Sequence, residues 1–324
     1  MHSMDQQVLE RVKDWLLTQQ RTWLCTVVAT YGSSPRPVGS LFACNKAGIT
    51  VGSLSGGCVE DELVAALRSG DPALDGVQIL EYGVSAEQNE RLGLPCGGRL
   101  EIMLEPLDQS AAPHIEQLLH AIAARQYIER GVRLRDGERS LQAVPHYAPL
   151  ERDEHSLQQV FGPRHRMLLI GAGALALTLA ELAQAMDYQV LVCDPRPEVL
   201  QQWQGVDVPL LSSMPDDAVR EHATDADSIV LTLTHDPRID DMALMEALQH
   251  ELFYVGALGS ERTTAARRKR LLLLDIDEAR LQRLHAPVGL PIGSKTPMEI
   301  AIAILAEITQ LRSQRRLAAL GLNP

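Results

Sequence analysis

The chain has 324 residues, 45% of them hydrophobic and 22% charged, which is enough apolar material for two soluble domains without disulfide staples. Lys and Arg number 30 against 42 Asp and Glu, and this net charge of -12 argues against nucleic acid as a partner, because phosphate neutralisation needs clustered cations. No apolar run reaches the ~18 residues of a membrane helix, and five cysteines without a CxxC pair argue against a secreted disulfide framework or a structural zinc site, so a reducing cytoplasm is the expected compartment.

The N-terminal segment carries Val8, Val12, Trp15 and Leu16 on one face and predicts an amphipathic helix over roughly 6–20, with no hydrophobic region of a signal peptide. Residues 22–30 are rich in β-branched side chains and predict a buried strand. Tyr31 to Gly39, with two prolines and two glycines, reads as a rigid loop. A hairpin follows over 40–44 and 49–53, then a helix over 59–68, a strand over 76–82 and another over 99–104. This first region is α+β. Residues 110–165 carry a helix over 113–125 and two weak strand-like runs, and the polar stretch Glu151 to Arg166 is the expected linker between an N-terminal domain (1–150) and a second domain (166–324).

From Arg166 the pattern becomes strand–helix alternation: strands at 167–170, 189–193, 228–234 and 252–255, helices at 174–186, 240–249 and 262–274. The basic cluster Arg262 to Arg270 fits one face of the last of these. Such alternation predicts an α/β fold, a Rossmann-like doubly wound parallel sheet. Thr296, Pro297 and Glu299 form a helix-start signature, and Ile300, Ile304 and Ile308 repeat as an apolar stripe behind it.

Two sets of residues could carry chemistry. Gly171, Gly173 and Ala176 satisfy GxGxxG/A between a strand and a helix, the geometry in which backbone N–H groups meet a pyrophosphate, and Asp194 closes the next strand where a ribose-binding carboxylate is expected. The crevice could equally hold another phosphate-bearing ligand. His235 lies after a strand, as readily a loop residue as a functional one. Separately, Cys58 follows Gly56 and Gly57, and Cys96 precedes Gly97 and Gly98. Small neighbours let a ligand approach the sulfur, and a helix N-terminus at Cys58 favours a thiolate. The alternative is that both are small core residues beside turns, the reading expected for Cys25, Cys193 and Cys44. Ser34 and Arg36, in the proline-rich loop, offer a hydroxyl and a planar guanidinium to an anionic or heteroaromatic ligand, or are a solvated turn.

The segments TYGSSPRPVGS (30–40), VGSLSGGCVED (51–61), GLPCGGRLEIMLEP (93–106), LLIGAGALA (168–176), VCDPRPE (192–198), YVGALGSERT (254–263) and HAPVGLPIGSKTPMEIAIAILAEI (285–308) together resemble the XdhC/CoxI family, accessory factors of xanthine dehydrogenase and related molybdenum hydroxylases. The resemblance implies a cytoplasmic, non-enzymatic, dimeric helper that binds molybdenum cofactor (molybdopterin), works with an L-cysteine desulfurase in its sulfuration, and inserts it into an apo molybdenum hydroxylase of xanthine dehydrogenase or aldehyde oxidoreductase type. It puts Cys58 and Cys96 at the family's glycine-flanked cysteine positions. Many relatives carry His or Gln directly after the Gly-Ala-Gly, where this chain has Ala174, a change that leaves backbone phosphate binding untouched. The expected site lies between the sulfurs of the first domain and the phosphate loop of the second. The alternative reading is an NAD(P)-dependent oxidoreductase with Asp194 on a ribose.

Overall fold

The computed structural model describes residues 3–31, 36–70, 74–84 and 99–319. The chain divides into two compact units, Met1–Pro163 and Arg164–Pro324. Among the described residues no helix is long and apolar enough to cross a membrane.

The first unit opens with α1 (Ser3–Leu17) and builds a five-stranded antiparallel sheet from β1 (Thr22–Tyr31), β2 (Leu41–Asn45), β3 (Thr50–Gly52), β4 (Gln78–Tyr82) and β5 (Arg99–Leu107), in the order β3-β2-β1-β5-β4. Helix α2 (Cys58–Ser69) lies between β3 and β4 in sequence, and α3 (Ala112–Ala123) follows β5. Both faces of β1 are buried, which is why its sequence is apolar rather than alternating. Leu24 packs with Val8, Leu9, Trp15 and Ile115 of α1 and α3, while Trp23, Cys25 and Val27 pack with Val59, Leu63 and Leu67 of α2.

A second sheet follows, β6 (Tyr127–Arg133), β7 (Arg139–Val144), β8 (Glu151–Arg152) and β9 (Ser156–Phe161), ordered β7-β6-β9-β8. The stretch expected to be a linker therefore carries two paired strands, and β9 turns Leu157 and Phe161 to one face, where they join buried clusters with Val132 and with Ile128. A buried ion cluster holds this part together. Both Oε atoms of Glu105, on β5, accept from the Arg130 Nη2 at 2.7 Å, and Oε1 also accepts from Arg139, while the Arg130 Nε donates to His114 at 3.1 Å. Burial, then the adjacent guanidinium, pushes His114 down to about 4, which keeps the ring neutral and able to accept.

The second unit is a six-stranded parallel sheet of β10 (Arg166–Ile170), β11 (Gln189–Cys193), β12 (Leu210–Leu211), β13 (Ser228–Thr232), β14 (Tyr254–Ala257) and β15 (Leu284–His285), ordered β12-β11-β10-β13-β14-β15. Helices α4 (Ala174–Ala185) and α10 (Pro297–Ala319) cover one face through Leu179, Ala180, Ile304 and Ile308. Helices α6 (Pro215–His222), α7 (Pro237–Ala247) and α8 (Glu261–Leu273) cover the other, and the short helices α5 (Pro197–Leu200) and α9 (Glu278–Leu281) complete the unit. The chain leaves β10 through α4 to one side, and β13 then returns on the opposite side of β10. The direction of winding thus reverses beside β10, the switch point at which sheets of this order bind ligands. Thr296 and Glu299 form the expected capping box: the Glu299 carboxylate accepts from the Lys295 and Thr296 N–H groups, and the Thr296 Oγ1 accepts from the Glu299 N–H. The two-residue strands β12 and β15 are below the length that sequence pattern can register.

Candidate functional site

In the first unit, register brings the strand ends that flank the motif segments to one end of one sheet. Tyr31, last in β1, pairs with Arg99, first in β5. Phe42, near the start of β2, pairs with Gly52, last in β3. The segments that follow Tyr31, precede Leu41, follow Gly52 and precede Arg99 therefore all leave the sheet at the same edge. Ser34, Cys96, Gly97 and Gly98 lie outside the described residues. Arg36 is half-buried, its guanidinium against the Met4 sulfur.

Cys58 is the first residue of α2 and is exposed, whereas Cys25, Cys44 and Cys193 are buried. Burial raises the Cys44 and Cys193 thiols to about 12 and lifts that of Cys25 too, so these three are inert core sulfurs. The glycines before Cys58 have different reasons to be glycine. Gly56 needs its φ of +96°, and among the described residues no heavy atom lies within 4 Å of a Cβ built on Gly56 or Gly57.

The small residues here are expected from the sequence to let a ligand approach the sulfur; the loop's own donors are filled by Glu60. Its carboxylate accepts from the N–H groups of Leu54, Ser55, Gly56 and Gly57 at 2.8–3.1 Å, and from the hydroxyls of Ser53 and Ser55 at 2.9 and 2.6 Å. Burial works against the charge, yet the bonds from Ser55, Gly56 and Leu54 outweigh it and hold Glu60 at about 2. The loop is thereby set rigidly behind Cys58. An acid three residues after the helix cap is the local signal that could have found it.

In the second unit the glycine loop has the expected strand–turn–helix form. Gly171 has φ +104°, its N–H donates to the Cys193 carbonyl at 2.7 Å, and a Cβ there would lie 2.6 Å from the Thr234 Cγ2. Gly173 caps α4, is exposed, and has no described residue within 4 Å of its Cβ position, and the first-turn amides of such a helix start are donors for an anion.

Asp194 does something the sequence did not suggest. It is fully buried, with Oδ1 accepting from the Arg196 N–H and Nε at 3.1 and 2.8 Å, and Oδ2 from the Ala172 N–H and the Arg196 Nη2 at 3.1 and 2.8 Å. Both oxygens are thus already engaged by neighbouring donors. Burial opposes ionisation, but Arg196 and the two amides hold Asp194 below the usual carboxylate range. A ribose diol would have to displace Arg196 to reach it.

His235 is exposed. Its neighbour Thr234 donates to the Asp240 Oδ1 at 2.7 Å, and Asp240 pairs with buried Arg267 at 3.0 Å, a chain that supports the wall against which Gly171 packs.

Comparison with known proteins bears on both units. The profile described as "XdhC Rossmann domain" matches residues 167–308, and that of the "XdhC and CoxI family" matches 15–83. The chain belongs to the XdhC/CoxI family. This XdhC/CoxI protein is 27% identical over 322 residues to a Bacillus subtilis protein named as a probable xanthine dehydrogenase subunit, and the match takes in 91% of this chain and 94% of the relative. It is 26% identical over 309 residues to the Escherichia coli molybdenum cofactor insertion chaperone PaoD, with 94% of this chain and 88% of the relative covered. A Bacillus halodurans crystal structure described as a xanthine dehydrogenase superposes with a TM-score of 0.74 at 25% identity, covering 96% of this chain and 97% of that one. The XdhC and CoxI match takes in Cys58 and Glu60, and the Rossmann match takes in Gly171, Asp194 and Glu307.

Proposed function

We propose that this XdhC/CoxI protein is a molybdenum-cofactor accessory factor that receives molybdopterin, shields it during sulfuration by an L-cysteine desulfurase, and inserts it into an apo hydroxylase of the xanthine dehydrogenase or aldehyde oxidoreductase type. The cofactor is cargo here, and the cytoplasm and a homodimer are the setting this reading calls for. The observation that carries it is Cys58: an exposed thiol on a loop locked by Glu60, with no described residue within 4 Å of a Cβ on Gly56 or Gly57. Soft sulfur suits a molybdenum–dithiolene cargo; in the second unit, taken by itself, the helix start at Gly173 suits a phosphate. Cys96, with Gly97 and Gly98, precedes in sequence the strand whose first residue, Arg99, pairs with the end of β1. Ser34 and Arg36 lie in the segment that follows Tyr31 in sequence.

The test is co-expression in a host that makes molybdenum cofactor, followed by assay of bound pterin as its fluorescent oxidation product. The wild type should carry pterin, and Cys58→Ser and Cys96→Ser should lower it severalfold. Full pterin in the double variant would refute the assignment of the sulfurs, and pterin-free wild type would refute the cargo.

The strand order also suits NAD(P), the second reading. The saturation of Asp194 by Arg196 weighs against it, because the ribose diol loses its usual acceptor.

A further inference from the structure

Glu307 of α10 gathers three donors from three places. The Tyr254 hydroxyl donates to Oε2 at 2.7 Å, the Gly289 N–H donates to the same atom at 2.8 Å, and the His285 Nδ1 lies 2.8 Å from Oε1. The His285 ring stacks on Tyr254 with centroids 4.3 Å apart and planes 21° from parallel. Gly256, paired in register with both Leu231 and His285, makes this possible: a Cβ there would lie 2.6 Å from the Tyr254 ring. An ionised carboxylate at Oε1 requires the proton on Nδ1, which leaves Nε2 of the neutral ring as an acceptor. No described residue bonds to Nε2, and the His285 side chain is 32% exposed.

His285 is also the last residue of β15, at the carboxyl end of a parallel sheet where ligands bind. Its row runs through Gly256 and Leu231 to Leu169, three strand spacings or roughly 14 Å across, and Gly171 stands two residues further along the chain from Leu169. A phosphorylated heterocycle seated on the Gly173 amides could bridge much of that gap.

We propose that His285 is a ligand-binding residue, its Nε2 accepting a hydrogen bond from a ring N–H or amino group of a phosphorylated heterocycle, pterin or nucleobase, held by the Gly171–Gly173 loop. Glu307 and Tyr254 are its positioning residues. The proposal rests on the reading that the second unit takes such a phosphorylated ligand. A structural latch would be complete without Nε2, and this separates the two roles experimentally. In His285→Asn the amide nitrogen can replace Nδ1 as donor to Glu307 while the acceptor is lost. His285→Gln restores a polar atom near the Nε2 position.

The full-length chain is co-expressed with cofactor synthesis, and bound pterin and melting temperature are measured for wild type, His285→Asn, His285→Gln and Tyr254→Phe. His285→Asn should melt near wild type yet hold about tenfold less pterin, the worth of one hydrogen bond, with partial recovery in His285→Gln. Wild-type occupancy in His285→Asn, or occupancy that falls only in step with melting temperature, overturns the role of His285 while leaving the cargo reading intact. If the wild type itself holds no pterin, the cargo reading fails. His285 is then decided by following its Nε2 resonance in nitrogen-15 spectra with CDP, GDP and ADP: a shift with any one sustains the proposal, and none with all three overturns it.

Discussion

Tyr31 and Arg99 stand opposite each other across the β1–β5 ladder, with the Arg99 guanidinium 5.4 Å above the Tyr31 ring. This pairing joins two sequence segments 68 positions apart at one sheet edge, and β3 ends at that edge too, five residues before Gly57. The strand ends Tyr31, Gly52 and Arg99 are thus brought to one end of the sheet by register and not by sequence.

Thiol labelling should distinguish Cys58 sharply from the core cysteines. In a Cys96→Ser background the native protein should react with a disulfide reagent at one equivalent, and labelling should map to Cys58. Cys25, Cys44 and Cys193 should react only after unfolding, because they are buried. Two or more fast thiols in the native state would contradict this burial.

Glu60 should make the Cys58 loop acid-sensitive. Its carboxyl is held at about 2 against an ordinary 4.5, so the folded state gains from ionised Glu60 above pH 4.5 and loses that gain as pH falls toward 2. Glu60→Gln should cost on the order of 1–2 kcal/mol at pH 7, allowing for partial solvent screening. The stability difference between wild type and variant should shrink between pH 5 and pH 3 in urea titrations. A constant difference across that range would show that the charge is not what matters.

The two loop glycines should respond oppositely to alanine. Gly171→Ala forces a Cβ to within 2.6 Å of Thr234 at a φ of +104° and should destabilise by at least about 2 kcal/mol. Gly173→Ala meets nothing and should shift stability by no more than about 1 kcal/mol, while lowering pterin content by crowding the phosphate position. Calorimetry and pterin assay on the same preparations check both halves.

Arg130→Ala should be the most damaging change in the first unit. It leaves fully buried Glu105 with Arg139 as its remaining cation and should cost about 3–5 kcal/mol, read as the shift of a chemical denaturation midpoint. A loss below about 1 kcal/mol would mean that Glu105 finds water or takes up a proton at little cost.

The elements with strong periodicity were readable directly. Apolar runs at 22–30 and 167–170, the stripe Ile300, Ile304 and Ile308, and the capping pair Thr296 and Glu299 each state their structure within a few residues, because helix and strand repeats are local. The glycine loop was equally legible, since a positive φ at Gly171 demands glycine. What needed tertiary structure was the destination of each polar side chain. Asp194 looked like a ribose acceptor and closes on Arg196. Glu60 looked like an ordinary helix residue and fills the nest behind Cys58. His285 and Glu307, 22 positions apart, meet only because β15 and α10 pack together. Hydrogen-bond partners are chosen by distance in space, and a carboxylate takes whichever donors the fold brings within about 3 Å. Sequence therefore determined the scaffold and the family, and the tertiary structure alone decided which of its charged groups remain available to a ligand.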